Sequence, residues 1–103
     1  MNPPDNPSAN RWLVTACLAQ VQAMRYTPAG LPALDMVLEH ESQQHEGGGE
    51  RLARASIKAV AFGPLAERLA RQALGSCWNF RGFLAAGRGG KGLVFHIQDM
   101  QNT

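Results

Sequence analysis

The chain has 103 residues, enough for one domain built around one hydrophobic core. Its 45% hydrophobic and 17% charged content is that of a folded globular protein and excludes wholesale disorder, and no apolar run approaches the roughly 18 residues of a membrane-spanning helix. Ten Lys and Arg against eight Asp and Glu leave a formal charge of +2; so small an excess signals no nucleic-acid partner, and only its distribution can.

Residues Met1 to Ala9 lack the basic start and apolar stretch of a secretory leader and read as a flexible arm, with 10–103 as the folded domain. From Asn10 to Leu18, the residues Trp12, Val14, Ala16 and Leu18 share one parity, the period-2 pattern of a strand with one face in a core. The other face, Leu13, Thr15 and Cys17, is less polar than a fully exposed face, which predicts cover by another element or a subunit. Arg25 to Pro32 carries Pro and Gly at turn-forming positions. A second strand alternates Leu34, Met36 and Leu38 against Asp35, Val37 and Glu39.

Gln43 to Glu50, with three consecutive glycines and nothing to bury, reads as a mobile loop. In the third strand Ala53, Ala55, Ile57, Ala59 and Ala61 face one way and Arg54, Ser56 and Lys58 the other. Gly63-Pro64 starts a short amphipathic helix with Leu65, Leu69 and Ala73 on one side, stopped by Gly75. The fourth strand, Cys77 to Ala86, turns Trp78, Phe80, Gly82 and Leu84 inward and Asn79, Arg81, Phe83 and Ala85 outward. Ala86 to Gly92 is a basic, glycine-rich hairpin loop, and Leu93 to Ile97 is the fifth strand. Three strands, a helix and two strands is the order of the OB-fold, an all-β, five-stranded Greek-key barrel that binds oligonucleotides on a strand face and loops.

Cys17 and Cys77 form no CxxC pair and have no ligand histidine near them in sequence, so two buried free thiols in a cytoplasmic protein are expected, with neither a zinc site nor a disulfide scaffold. His40, His45 and His96 are scattered over two strands and a loop and predict no metal centre. No nucleophile, base and orienting acid assemble into a local motif. A binding protein without cofactor, not an enzyme, is the expectation.

Three stretches carry a family likeness: Asn10-x-Trp12-x-Val14-x-Ala16-x-Leu18; Pro28-x-Gly30-x-Pro32 followed by Val37-Leu38-Glu39-His40-x-Ser42; and Gly75-Ser76 running to Gly82-Phe83. In this order and spacing they resemble the bacterial single-stranded-DNA-binding protein group and, within it, the primosomal replication protein N (PriB) family, over about residues 10–100. Phe62-Gly63-Pro64-Leu65-Ala66-Glu67 is more similar to the helix start of the general members, but those continue into a long tail with an acidic tip, whereas this chain stops at Thr103. The resemblance implies a homodimer that binds single-stranded DNA and bridges it to the restart helicase PriA and, in some bacteria, to a further loader. Two positions depart from the pattern: Ala16 stands where the first strand has a glycine, and Arg54 where the third strand has a tryptophan that stacks on DNA.

Binding single strands without sequence preference needs cations along the phosphates and flat groups for the bases. The candidates are Arg54 and Lys58 on the polar parity of strand three, Arg81 with Phe83 as stacking platform on strand four, and Arg88 with Lys91 in the glycine-rich loop. Arg25 and Tyr26 match a position where the family places a basic contact. Trp12, Trp78, Phe80 and Phe95 lie on core parities and read as packing. A second reading makes the chain a protein-interaction module: its sheet edge and the acidic stretch from Asp35 to Glu50 would recruit a helicase, with DNA contact incidental.

Overall fold

The computed structural model describes residues 8–103. Of the arm expected over 1–9, only 8 and 9 fall within the described residues, and both are exposed. The elements in chain order are β1 (Trp12–Val21), β2 (Arg25–Tyr26), β3 (Pro32–Glu46), β4 (Gly49–Phe62), α1 (Pro64–Ala70), β5 (Cys77–Ala86) and β6 (Leu93–Asn102). The five long strands close on themselves in the order β1-β5-β6-β4-β3, with β3 pairing back onto β1, and β2 adds a two-residue strand outside β3. All pairings are antiparallel except β4 with β6, which run parallel at Ala59–Phe95 and Val60–His96. This is the OB-fold barrel, with its helix between the third and fourth long strands.

The alternation of side chains explains the closure. Ala16 and Leu18 of β1, Leu34, Met36 and Leu38 of β3, Ala59 and Ala61 of β4, Phe80 of β5, and Phe95, Ile97 and Met100 of β6 fill the interior. β4 contributes only alanines at its buried inward positions, and those small residues leave room for Phe80 and Phe95 from the other side. The helix starts on Pro64, whose missing N–H would be unbonded there anyway, and buries Ala66 and Leu69 against the barrel. It ends at Ala70, so Ala73, expected on its apolar side, lies beyond it and is exposed.

β1 serves two partners in succession: Trp12 to Cys17 pair with β5 and Cys17 to Val21 with β3, with a register shift between Leu18 and Gln20. Cys17, at the hand-over, lies directly across from Cys77, and the two sulfurs are bonded. The expectation of buried free thiols is therefore corrected. The two residues are 60 apart in sequence, Cys77 is exposed, and only the β1–β5 register makes them neighbours.

Three further expectations change. The segment 43–50 is not a loop: β3 and β4 form one unbroken antiparallel ladder from Ala33–Phe62 to Glu46–Gly49, closed by Gly47 and Gly48 alone. Both glycines take positive φ (61° and 83°), the two-residue hairpin turn whose twist matches that of its strands. Glycine supplies that turn and does not here mark a long loop. The ribbon projects from the barrel with residues 43–52 all exposed, and the radius of gyration, 15.2 Å, exceeds the roughly 13 Å of a compact domain of this length. Trp12 does not pack in the core: it is 52% exposed at the very start of β1, its indole N–H donating to Asn10 Oδ1 at 3.0 Å. Trp78 is half-buried, while Phe80 and Phe95 are buried as expected. Finally, β6 continues five residues beyond Ile97, to Asn102.

Candidate nucleic-acid interface

β6 lies between β5 and β4, with His96 opposite Phe83 on one side and opposite Val60 on the other. Outward-pointing residues of the three strands therefore meet in a row. The His96 imidazole stacks on Phe83 with ring centroids 4.7 Å apart and planes 14° from parallel, and on Phe62 at 6.0 Å and 25°. Phe83, proposed from the sequence as a platform, thus has one face covered by His96 and is half-buried. Phe62 is 37% exposed and offers the more open ring.

Beside this row lies a concavity of about 260 Å³ lined by Phe62, His96, Val60 and Val94, by Arg88 and Gly87 of the β5–β6 loop, and by Arg25 and Asp35. A smaller one of about 220 Å³ shares Asp35 and Val94 and adds Lys58 and Val37. Arg25 and Arg88 thereby border the hollow floored by Phe62 and His96, and Lys58 lines the adjoining one. Lys91 is exposed in the same loop as Arg88, whose turn is held by Gly90 N–H donating to the Gly87 carbonyl at 2.9 Å.

Arg25 is not free. Its Nε donates to Asp35 Oδ2 at 2.6 Å and its Nη2 to Oδ1 at 3.1 Å, a two-point pair made possible because β2 aligns Arg25 with Ala33, two residues before Asp35. The hydrogen bonding from Arg25, opposed by partial burial, holds the Asp35 carboxyl below the usual carboxylate range, and the charge of Arg88 adds to the effect. The same hydrogen bond raises the Arg25 pKa. Tyr26 follows on β2 and is 67% exposed.

The remaining sequence candidates lie elsewhere. Arg54 points outward on the same parity of β4 as Lys58 and Phe62, but it sits on the projecting ribbon with Nε 3.4 Å from Glu41 Oε1. Arg81 is outward in the middle of β5 but stands opposite Leu13 and Asp99, and the β5–β6 register shift between Arg81 and Gly82 separates it from Phe83. It lines a separate concavity of about 360 Å³ with Arg11, Trp12 and Leu13. Sequence reasoning passed over Phe62 and His96. Their parity was the available signal: Phe62 is in phase with Lys58, and His96 is out of phase with the buried Phe95 and Ile97. Among the described residues no group of three or more His, Cys, Asp or Glu could hold a metal ion.

Residues 10–99 match the family described as "Another single-strand binding protein family". The chain is 47% identical over 75 residues to the replication restart protein PriB of Bordetella pertussis, covering 73% of this chain and 70% of that one. It is 31% identical over 99 residues to PriB of Nitrosomonas europaea, covering 95% and 92%. The chain belongs to the replication restart protein PriB family. The structure of PriB from Ralstonia solanacearum superposes with a TM-score of 0.84 at 38% identity, covering 92% of this chain and 98% of that one.

Proposed function

We propose that this PriB-family chain binds single-stranded DNA on the outer face of β4, β5 and β6, with phosphates on Arg88, Lys91, Lys58 and Arg25 and bases against Phe62 and the Phe83–His96 stack. The observation that carries this reading is the convergence of three flat rings and three cations on one surface. Rings accept any base and cations any phosphate, so the surface suits binding without sequence preference. No bond is made or broken in such binding.

Homodimer formation belongs to the same proposal. Among the described residues β3 pairs with β1 only from Cys17 onward, so no described strand lies on one edge of the first half of β1, beside Leu13 at 68% exposed. Unpaired edges are covered in stable proteins, and a second copy supplies a matching one. Bridging to the restart helicase PriA, which the family resemblance implies, is part of the same proposal.

Fluorescence anisotropy with a labelled dT oligomer at increasing salt tests the proposal. Four neutralised phosphates give a slope of log affinity against log salt near −3, from about −0.7 per contact. Arg88→Ala with Lys91→Ala brings it nearer −1.5 and weakens binding several-fold at an unchanged melting temperature. A slope near zero in the parent chain defeats the proposal.

A further inference from the structure

His96 is the one member of the aromatic file whose ring can change its charge. Phe83 and Phe62 lie against its two faces at 4.7 and 6.0 Å, which leaves its nitrogens at the rim of the stack, and the residue borders the hollow of about 260 Å³. Among the described residues no hydrogen bond or ion pair reaches either of those nitrogens. The other two histidines differ. His40 has both ring nitrogens engaged, one with the Thr15 carbonyl and one with Ser42 Oγ, and His45 faces Glu50 at 3.5 Å on the projecting ribbon.

The charges around His96 come from every side. β2 and β3 supply Arg25 and Asp35, bound to each other; the β5–β6 loop supplies Arg88, with Lys91 exposed beyond it; β4 supplies Lys58 in the adjoining hollow. β5 places the uncharged Phe83 against the ring. Asp35 is the one carboxylate lining either hollow, and Arg25 already holds it. A protonated imidazole therefore meets an excess of cations in the free protein. A DNA strand seated on Arg88 and Lys58 reverses that balance, because its phosphates bring negative charge to the same place. Protonated imidazole offers two N–H donors where the neutral ring offers one, and it turns the stack on Phe83 and Phe62 into cation–π contacts. Proton and DNA then favour each other, and the coupling is reciprocal.

We infer that His96 takes up a proton as single-stranded DNA binds, so that the site holds DNA more tightly as pH falls from 8 to 6. The inference rests on the DNA reading of the surface given above.

The probe is a labelled dT oligomer, whose base does not titrate in this range, followed by anisotropy with the full chain at pH 8, 7 and 6. Affinity is expected to rise about fivefold from pH 8 to 6, with a salt slope steeper by about 0.7 at the lower pH for the added phosphate contact. His96→Phe, which keeps a flat ring but cannot take a proton, removes the pH dependence, and His40→Gln retains it. Should His96→Phe fail to fold, the parent chain supplies the same test by NMR: the His96 ring resonances titrate at higher pH with dT bound than without it. Absence of dT binding at every pH overturns the DNA reading and this inference with it. Binding at pH 8 that does not change at pH 6, a pH dependence that survives in His96→Phe, or a His96 titration unmoved by dT overturns this inference alone.

Discussion

The imidazole of His96 and the ring of Phe83 overlap at 4.7 Å across two neighbouring strands, and Phe62 extends the file on the other side at 6.0 Å. Cross-strand rings of this kind hold one another in place, so the exposed ring is pre-ordered for a base at little entropic cost. Phe62→Ala removes the open ring and is expected to weaken dT binding about tenfold, within the range of one stacked base. His96→Phe keeps a flat ring in the file and is expected to bind within about twofold of the parent, whereas His96→Ala behaves like Phe62→Ala. Equal affinities for all three in an anisotropy titration would remove the rings from the site.

The Arg25–Asp35 pair masks a cation beside the rings. Asp35→Asn removes the carboxylate that competes with a phosphate for Arg25, and the expected result is a several-fold gain in dT affinity. The stability change is small, because both side chains are more than a third exposed and such pairs contribute about 0–1 kcal/mol. Its pH dependence has a definite sign. The folded-state pKa of Asp35 is depressed, so the pair's contribution is complete above the unfolded carboxylate value of about 3.9 and is lost as pH falls through the lower folded value. Urea titrations at pH 7 and at stepwise lower pH are expected to separate parent from Asp35→Asn most at pH 7, with the separation shrinking as the pH falls below the usual carboxylate range.

Gly82 sits at the register shift between β5 and β6, where a Cβ would run into the backbone carbonyl of His96. The obstacle is backbone in a buried ladder and cannot swing away. Gly82→Ala is expected to cost about 1–3 kcal/mol, the range for overpacking, and to lower dT affinity by displacing His96. An unchanged urea midpoint would show that the ladder yields at this point.

The Cys17–Cys77 bond closes a span of 60 residues. By the chain-entropy relation a loop of that length is worth about 4 kcal/mol against the unfolded state. Denaturation with and without dithiothreitol is expected to show a lower midpoint on reduction, matched by Cys17→Ser with Cys77→Ser, while dT binding of the folded protein persists. Coincident oxidised and reduced curves refute this role.

Much of the barrel was legible from side-chain parity. Met36 and Leu38 against Val37 and Glu39, and Phe80 against Arg81, stand in the structure as their alternation predicts, because a half-buried strand must send every second residue into the core. Length and partner were not legible. Residues 43–46 carry no apolar alternation because both faces of the ribbon meet water, so a strand there is indistinguishable from a loop until its partner is known. The site was half visible: Lys58, Arg88 and Phe83 come from parity and loop composition, whereas the ion pairs that occupy Arg25 and Arg54 depend on acids 10 and 13 residues away.

By itself, the sequence determined the fold class, the helix after the third long strand and the split between inward and outward residues, since each rests on periodicity and on turn residues within a few positions. Only the tertiary structure decided that Phe62, His96 and Phe83 form one file, that Cys17 meets Cys77, and that Arg81 lies apart from Lys58. Those relationships are set by strand order and register, which join residues 13 to 60 positions apart through hydrogen bonds that no local pattern encodes.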